Sequence, residues 1–86
     1  MNVIWKYPLG PGKNELKLPK GAELLTAQMQ GSGPQLWVKL DPKAEKVYRE
    51  VRVLATGEAF NGDGFRYIST FQLEGGSLIF HAFEVA

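Results

Sequence analysis

The chain has 86 residues, enough for one modest core and too few for two ordinary domains, and its 44% hydrophobic and 22% charged content is that of a folded globular protein. Ten Lys and Arg against nine Asp and Glu leave a net charge of +1, without the strong positive field of a protein held to nucleic acid through phosphates. The absence of cysteine excludes disulfides and thiolate metal sites and fits a cytoplasmic setting, and no apolar run has the length of a secretory h-region or a membrane span, so no membrane partner is expected.

Period-two alternation, punctuated by Gly, Pro, Asn and Asp, predicts seven short strands and no βαβ units. The first runs from Asn2 to Leu9 with Val3, Trp5 and Tyr7 on one face, and Pro8, which cannot donate to a ladder, stops it. The loop GPGKN, Gly10 to Asn14, leads into a run from Glu15 to Leu18 with Leu16 and Leu18 aligned. Pro19-Lys20-Gly21 reads as a turn.

Ala22 to Gln30 and Gln35 to Asp41 flank the break Gly31-Ser32-Gly33-Pro34 as a hairpin, the second strand setting Leu36, Val38 and Leu40 against Trp37 and Lys39. Asp41-Pro42 opens a polar loop through Lys46, the one place with room for a short helical turn. Val47 to Thr56 turns Val47, Val51, Val53 and Ala55 one way and Tyr48, Glu50 and Arg52 the other, with Arg49 interrupting the apolar face. After the loop Glu58 to Gly64, a second hairpin joins Phe65 to Leu73 with Ser77 to Val85 through Glu74-Gly75-Gly76. Residues 1–86 are thus expected to form one all-β domain, an antiparallel sandwich or partly open barrel.

The single histidine, His81, shares its parity with Ile79, Phe83 and Val85, so both faces of its strand are apolar, as in a central strand or one covered by a partner. No spacing supplies it with a nucleophile, an orienting carboxylate or a second metal ligand. Its expected role is structural or interfacial, hydrogen-bonded through one ring nitrogen, with ligand contact as the alternative. GPGKN lacks the Walker spacing and NGDG lacks the calcium-loop pattern, and both read as turns. The nine carboxylates fall in loops or on polar faces and mark no acid–base pair. Of the ten aromatic residues, about seven are expected in the core. Those sharing a face with a cation, Tyr48 with Arg52 and Trp37 with Lys39, suit a protein interface or a base-stacking platform.

Ile4-Trp5-Lys6-Tyr7-Pro8, Leu36-Trp37, Asp41-Pro42, Thr56-Gly57, Tyr67, Thr70-Phe71-Gln72-Leu73, Gly75-Gly76, Leu78 and Phe80-His81-Ala82-Phe83-Glu84 together resemble, over nearly the whole chain, a family of small bacteriophage and prophage proteins with no established activity. The resemblance implies a mobile-element context, in which short β-rich accessory proteins act by binding, and it carries over no catalytic or binding residue. The leading expectation is a non-enzymatic accessory protein without cofactor or metal. It would bind a host or phage protein, a host-defence protein among them, through an aromatic and charged sheet face, as a homo-oligomer. One alternative is a sponge that holds a nucleotide-like signal between subunits on the amides of GPGKN or NGDG with Lys13 or Arg66, and another is a single-stranded nucleic-acid binder. The residues singled out for binding are Lys13, Trp37, Tyr48, Arg52, Arg66, His81 and Glu84. The last two would form a shared site if the terminal strand paired with a second subunit.

Overall fold

The computed structural model describes residues 1–86. Seven strands follow one another: β1 (Val3–Pro8), β2 (Gly12–Pro19), β3 (Glu23–Gln30), β4 (Gly33–Leu40), β5 (Lys46–Ala55), β6 (Phe65–Leu73) and β7 (Leu78–Val85). A 3-10 turn at Glu74–Gly76 joins the last two, and no helix is long and apolar enough to cross a membrane. The strands form two antiparallel sheets, ordered β1-β4-β3 and β2-β5-β7-β6, which face each other without closing into a barrel. The expected all-β class and strand count are those observed.

Strand parity builds the core. Leu36, Val38 and Leu40 on β4 meet Val51 and Val53 on β5, joined by Leu18, Ala27, Phe71 and Ala82, all nearly or fully buried. Each fully buried Val, Leu or Phe contributes about 1.5–3 kcal/mol. One side of the sandwich is sewn shut where the edge strands β3 and β6 adjoin. There the Ser69 hydroxyl donates to the Ala27 carbonyl and accepts from the Ala27 N–H, both at 2.7 Å and buried. A register shift in each strand, between Leu24 and Thr26 and between Tyr67 and Ser69, lies beside this seam, where bulges sharpen the local twist.

Several boundaries differ from expectation, each for a local reason. β2 begins at Gly12, inside the predicted GPGKN loop, because the Asn14 side chain organises the entry. Its amide donates to the carbonyls of Gly10, Gly12 and Val51, and its oxygen accepts from the Gly10 N–H. β4 begins at Gly33, so only Gly31 and Ser32 make the hairpin turn, with Gly31 at φ +61° supplying the left-handed residue that a type II′ turn needs first. The polar loop after Asp41 holds no helical turn. Instead the Asp41 carboxylate accepts from the Lys43 N–H and its carbonyl from the Ala44 N–H.

The larger correction concerns the aromatics. Only Phe71 is buried, with Tyr7 and Phe80 packed against the core from its margin, so seven of the ten lie outside it. Trp37, Tyr48, Phe65, Tyr67 and Phe83 have outward parity, Phe60 sits in a loop, and Trp5 has inward parity but lies on an edge strand. The thin sandwich, 15 Å across its shortest axis, fills instead with Leu, Val and Ala. The terminal strand also departs from one expectation. β7 is bonded on both sides, to β5 and β6, and cannot pair with another subunit. His81 and Glu84 are of opposite parity and project from opposite faces, so they form no shared site.

Candidate functional site

The outer face of the β2-β5-β7-β6 sheet gathers most of the exposed aromatic surface. Cross-strand register sets Lys13, Arg52, Phe83 and Tyr67 in one row across the sheet, and Glu15, Glu50, Val85 and Phe65 in the next. Residues opposite one another on one face touch. Phe60, carried by the β5–β6 loop, folds over the sheet with its ring centroid 5.1 Å from Phe65 and 5.5 Å from Phe83, while Tyr67 meets Phe83 edge-on at 5.7 Å. In the adjoining row Leu54, also outward by parity, is only 3% exposed and forms no part of the main core. Even so, Tyr67 remains 57% exposed and Phe60 46%.

Charge frames the rings. The Arg52 guanidinium lies 5.5 Å from the Phe65 ring centroid, donates to Glu50 at 2.5 Å, and keeps its Nε–H buried without an acceptor. Lys13 pairs with Glu15 at 3.2 Å in an exposed contact contributing less than about 1 kcal/mol, and Lys17 sits over the ring of Tyr48, itself 70% exposed.

His81 occupies the adjoining row, between Leu54 and Thr70. Its Nδ1 lies 2.9 Å from Thr70 Oγ1 and its Nε2 2.6 Å from Thr56 Oγ1. Tyr67 Oη is 2.8 Å from Thr70 Oγ1, and Thr56 Oγ1 donates to the Ile79 carbonyl. One assignment satisfies the whole chain: Tyr67 donates to Thr70, Thr70 to Nδ1, Nε2–H to Thr56, and Thr56 to Ile79. The histidine is therefore held through both nitrogens rather than the single one expected, in contacts that link β6 and the Thr56 turn to β7.

Of the seven candidates, the face brings together Lys13, Tyr48, Arg52 and His81. Trp37 lies on the outer face of the other sheet, in the row of Lys6 and Thr26. Arg66 and Glu84 face inward at one end of the sandwich, where Glu84 meets Arg49. Arg49 donates from Nε and Nη2 to the two Glu84 oxygens at 2.6 and 2.8 Å and from Nη1 to the Ala22 carbonyl at 2.5 Å, tying β5, β7 and the start of β3 together. These bonds hold the Glu84 carboxyl below its ordinary range against an opposing push from burial, with the charges of Arg49 and Arg66 assisting. A cavity of about 400 Å³ opens beside the pair, lined in part by Leu24, Ile68, Arg66 and Glu23. With Nε, Nη1 and Nη2 of Arg49 all engaged and two carboxylates in its wall, it offers a ligand little beyond Arg66.

Sequence reasoning missed Phe60, Phe65, Tyr67 and Phe83 as a group. The available signal was the shared odd parity of Phe65, Tyr67 and Phe83 on two hairpin strands. The glycine loops proposed as phosphate cradles have amides already in use, since the Gly10 N–H bonds Asn14 and the Asp63 N–H bonds Asn61. No group of three or more His, Cys, Asp or Glu side chains could hold a metal ion.

Fold and site together define a small two-sheet β protein with an aromatic, charged and solvent-facing sheet. The chain belongs to the family described as Domain of unknown function (DUF7352), which matches residues 1–86. No curated protein and no solved structure matches it.

Proposed function

We propose that the protein is a non-enzymatic binding module that recognises another protein through the outer face of its four-stranded sheet. The partner is a host or phage protein, the context implied by the family resemblance, and it is met in the cytoplasm, the setting that a chain without cysteine fits. The observation that carries this reading is the Phe60, Phe65, Tyr67 and Phe83 cluster, with Phe60 and Tyr67 exposed and Phe65 and Phe83 half-buried, beside Arg52 in a domain whose core is mainly aliphatic. Aromatic and Arg side chains are the residues enriched at the centres of protein interfaces, and rings already packed against one another lose little entropy on binding.

The nucleotide-sponge reading has less support, because Lys13 is paired with Glu15 and the Gly10 and Asp63 amides are engaged within their own loops. Single-stranded nucleic-acid binding is opposed by Glu15 and Glu50, which sit among the basic residues of the face. The test is affinity capture from host cells, with and without phage infection, comparing wild type with Phe60→Ala and Tyr67→Ala. The reading expects a partner whose affinity falls by at least about tenfold in each variant at unchanged fold, as for an interface anchor. Equal capture by wild type and variants would sink it. So would a nucleotide retained in native mass spectrometry, or binding to nucleic acid that collapses with salt.

A further inference from the structure

The four sheet edges are not equivalent. β3 and β6 are joined to each other through Ser69. On β2, the bond from the Lys20 N–H to the Glu45 carbonyl continues the β2–β5 register. Alternate residues therefore face β5, and the outward backbone groups belong to Lys13, Glu15 and Lys17. That edge carries the charges by which natural sheets discourage pairing, and it ends at Pro19, which has no N–H.

β1 is less guarded, with a single charge, Lys6, and likewise a proline, Pro8, at its end. The bond from the Leu9 N–H to the Pro34 carbonyl extends the β1–β4 register by one pair, so Val3, Trp5 and Tyr7 bond β4 while the N–H and C=O groups of Ile4 and Lys6 point outward. Ile4 is 60% exposed on one face of this edge and Trp5 45% exposed on the other. The charge that could protect it, Lys6, is drawn back across the sheet by its bond to the Gln30 side chain.

We propose that β1 pairs antiparallel with β1 of a second copy of this chain, joining two three-stranded sheets into one six-stranded sheet. The strand is self-complementary. Outward groups must meet outward groups, and placing Ile4 opposite the partner's Lys6 uses both outward residues of each copy in mutual hydrogen bonds without opposing like charges. The same register puts Trp5 opposite the partner's Trp5 in a non-hydrogen-bonded pair, the closer of the two cross-strand spacings, on the inner face where each is now half-sheltered. Pro8 ends the bonded stretch. The alternative register, Ile4 opposite the partner's Ile4, engages only one outward residue of the strand. Because the two-fold axis stands normal to the sheet, both aromatic faces of the dimer look the same way, whatever they bind, and a clustered or repeated partner would be held at both.

The test is sedimentation velocity of the full chain over rising concentration. Wild type should pass from monomer to dimer. Ile4→Lys, which sets two symmetric Lys–Lys contacts against Lys6, should raise the dimer dissociation constant at least about tenfold, while Ile4→Glu, which faces the same Lys6, should keep or tighten it. The chain has no cysteine of its own, so Trp5→Cys should close an intermolecular disulfide on mild oxidation far faster than Tyr48→Cys, even if Ile4→Lys fails to fold. A wild type that stays monomeric, a dimer indifferent to Ile4→Lys, equal loss with Ile4→Glu, or equal crosslinking of the two cysteine variants would each overturn the proposal.

Discussion

Replacing Glu84 by Leu tests the tie that holds one end of the sandwich. The substitution keeps the bulk and removes both acceptors of the Arg49 fork, leaving Nε and Nη2 facing a side chain that cannot accept. Breaking a fully buried ion pair costs about 3–5 kcal/mol and an exposed one less than about 1 kcal/mol. With the two side chains 22% and 18% exposed, the loss falls between, at about 2 kcal/mol. In a domain of this size that lowers Tm by roughly 10 °C in calorimetry or thermal circular dichroism.

The pH dependence gives an independent check. Glu84 ionises at lower pH in the folded chain than in the unfolded one, so as pH falls the unfolded state takes up the proton first. The pair's contribution is complete above the ordinary carboxylate value and is lost as pH drops through the lowered folded value. The gap between wild type and Glu84→Leu should therefore narrow in acid. Pairing Glu84→Leu with Arg49→Met should restore part of the loss, because the orphaned charge goes too. A loss under about 0.5 kcal/mol, or stability curves that stay parallel down to acid pH, would refute the assignment of Arg49 and Glu84 as a structural tie.

Ser69→Ala removes the two bonds that join β6 to β3 and strands the Ala27 N–H and C=O, so about 2–3 kcal/mol should be lost, with the Ala27 amide losing hydrogen-exchange protection ahead of the β4 amides. Phe71→Ala empties the one fully aromatic site of the core, 2% exposed, and should cost about 3–4 kcal/mol in denaturant unfolding. Thr70→Val keeps the shape and deletes the donor to His81 Nδ1, so stability should fall by about 1 kcal/mol. The His81 ring nitrogen shifts should move with it, and unchanged shifts would rule out the hydroxyl chain.

Much of the fold was legible because a strand's side chains alternate with a period of two, and that period is local. Leu36, Val38 and Leu40 against Trp37 and Lys39, or Val51 and Val53 against Arg52, could be sorted into inner and outer faces from parity alone, and the Gly-bearing turns marked the strand count. The same parity held the clue to Phe65, Tyr67 and Phe83. It was outweighed by the general expectation that large rings fill small cores, which fails here because the inward positions are already taken by Leu, Val and Ala.

What parity cannot supply is which strand lies beside which. The order β2-β5-β7-β6 makes β7 a central strand, with no free edge to pair with a second subunit. It brings Arg49 to Glu84 across 35 positions of sequence, turning an apparent flaw in an apolar face into a clasp. It also decides that β2 shows its charges at a free edge while β1 shows Ile4 and Trp5. Alternation is written into each strand by its own backbone geometry. Adjacency is settled only when strands distant in the chain compete for the same backbone hydrogen bonds and the same core.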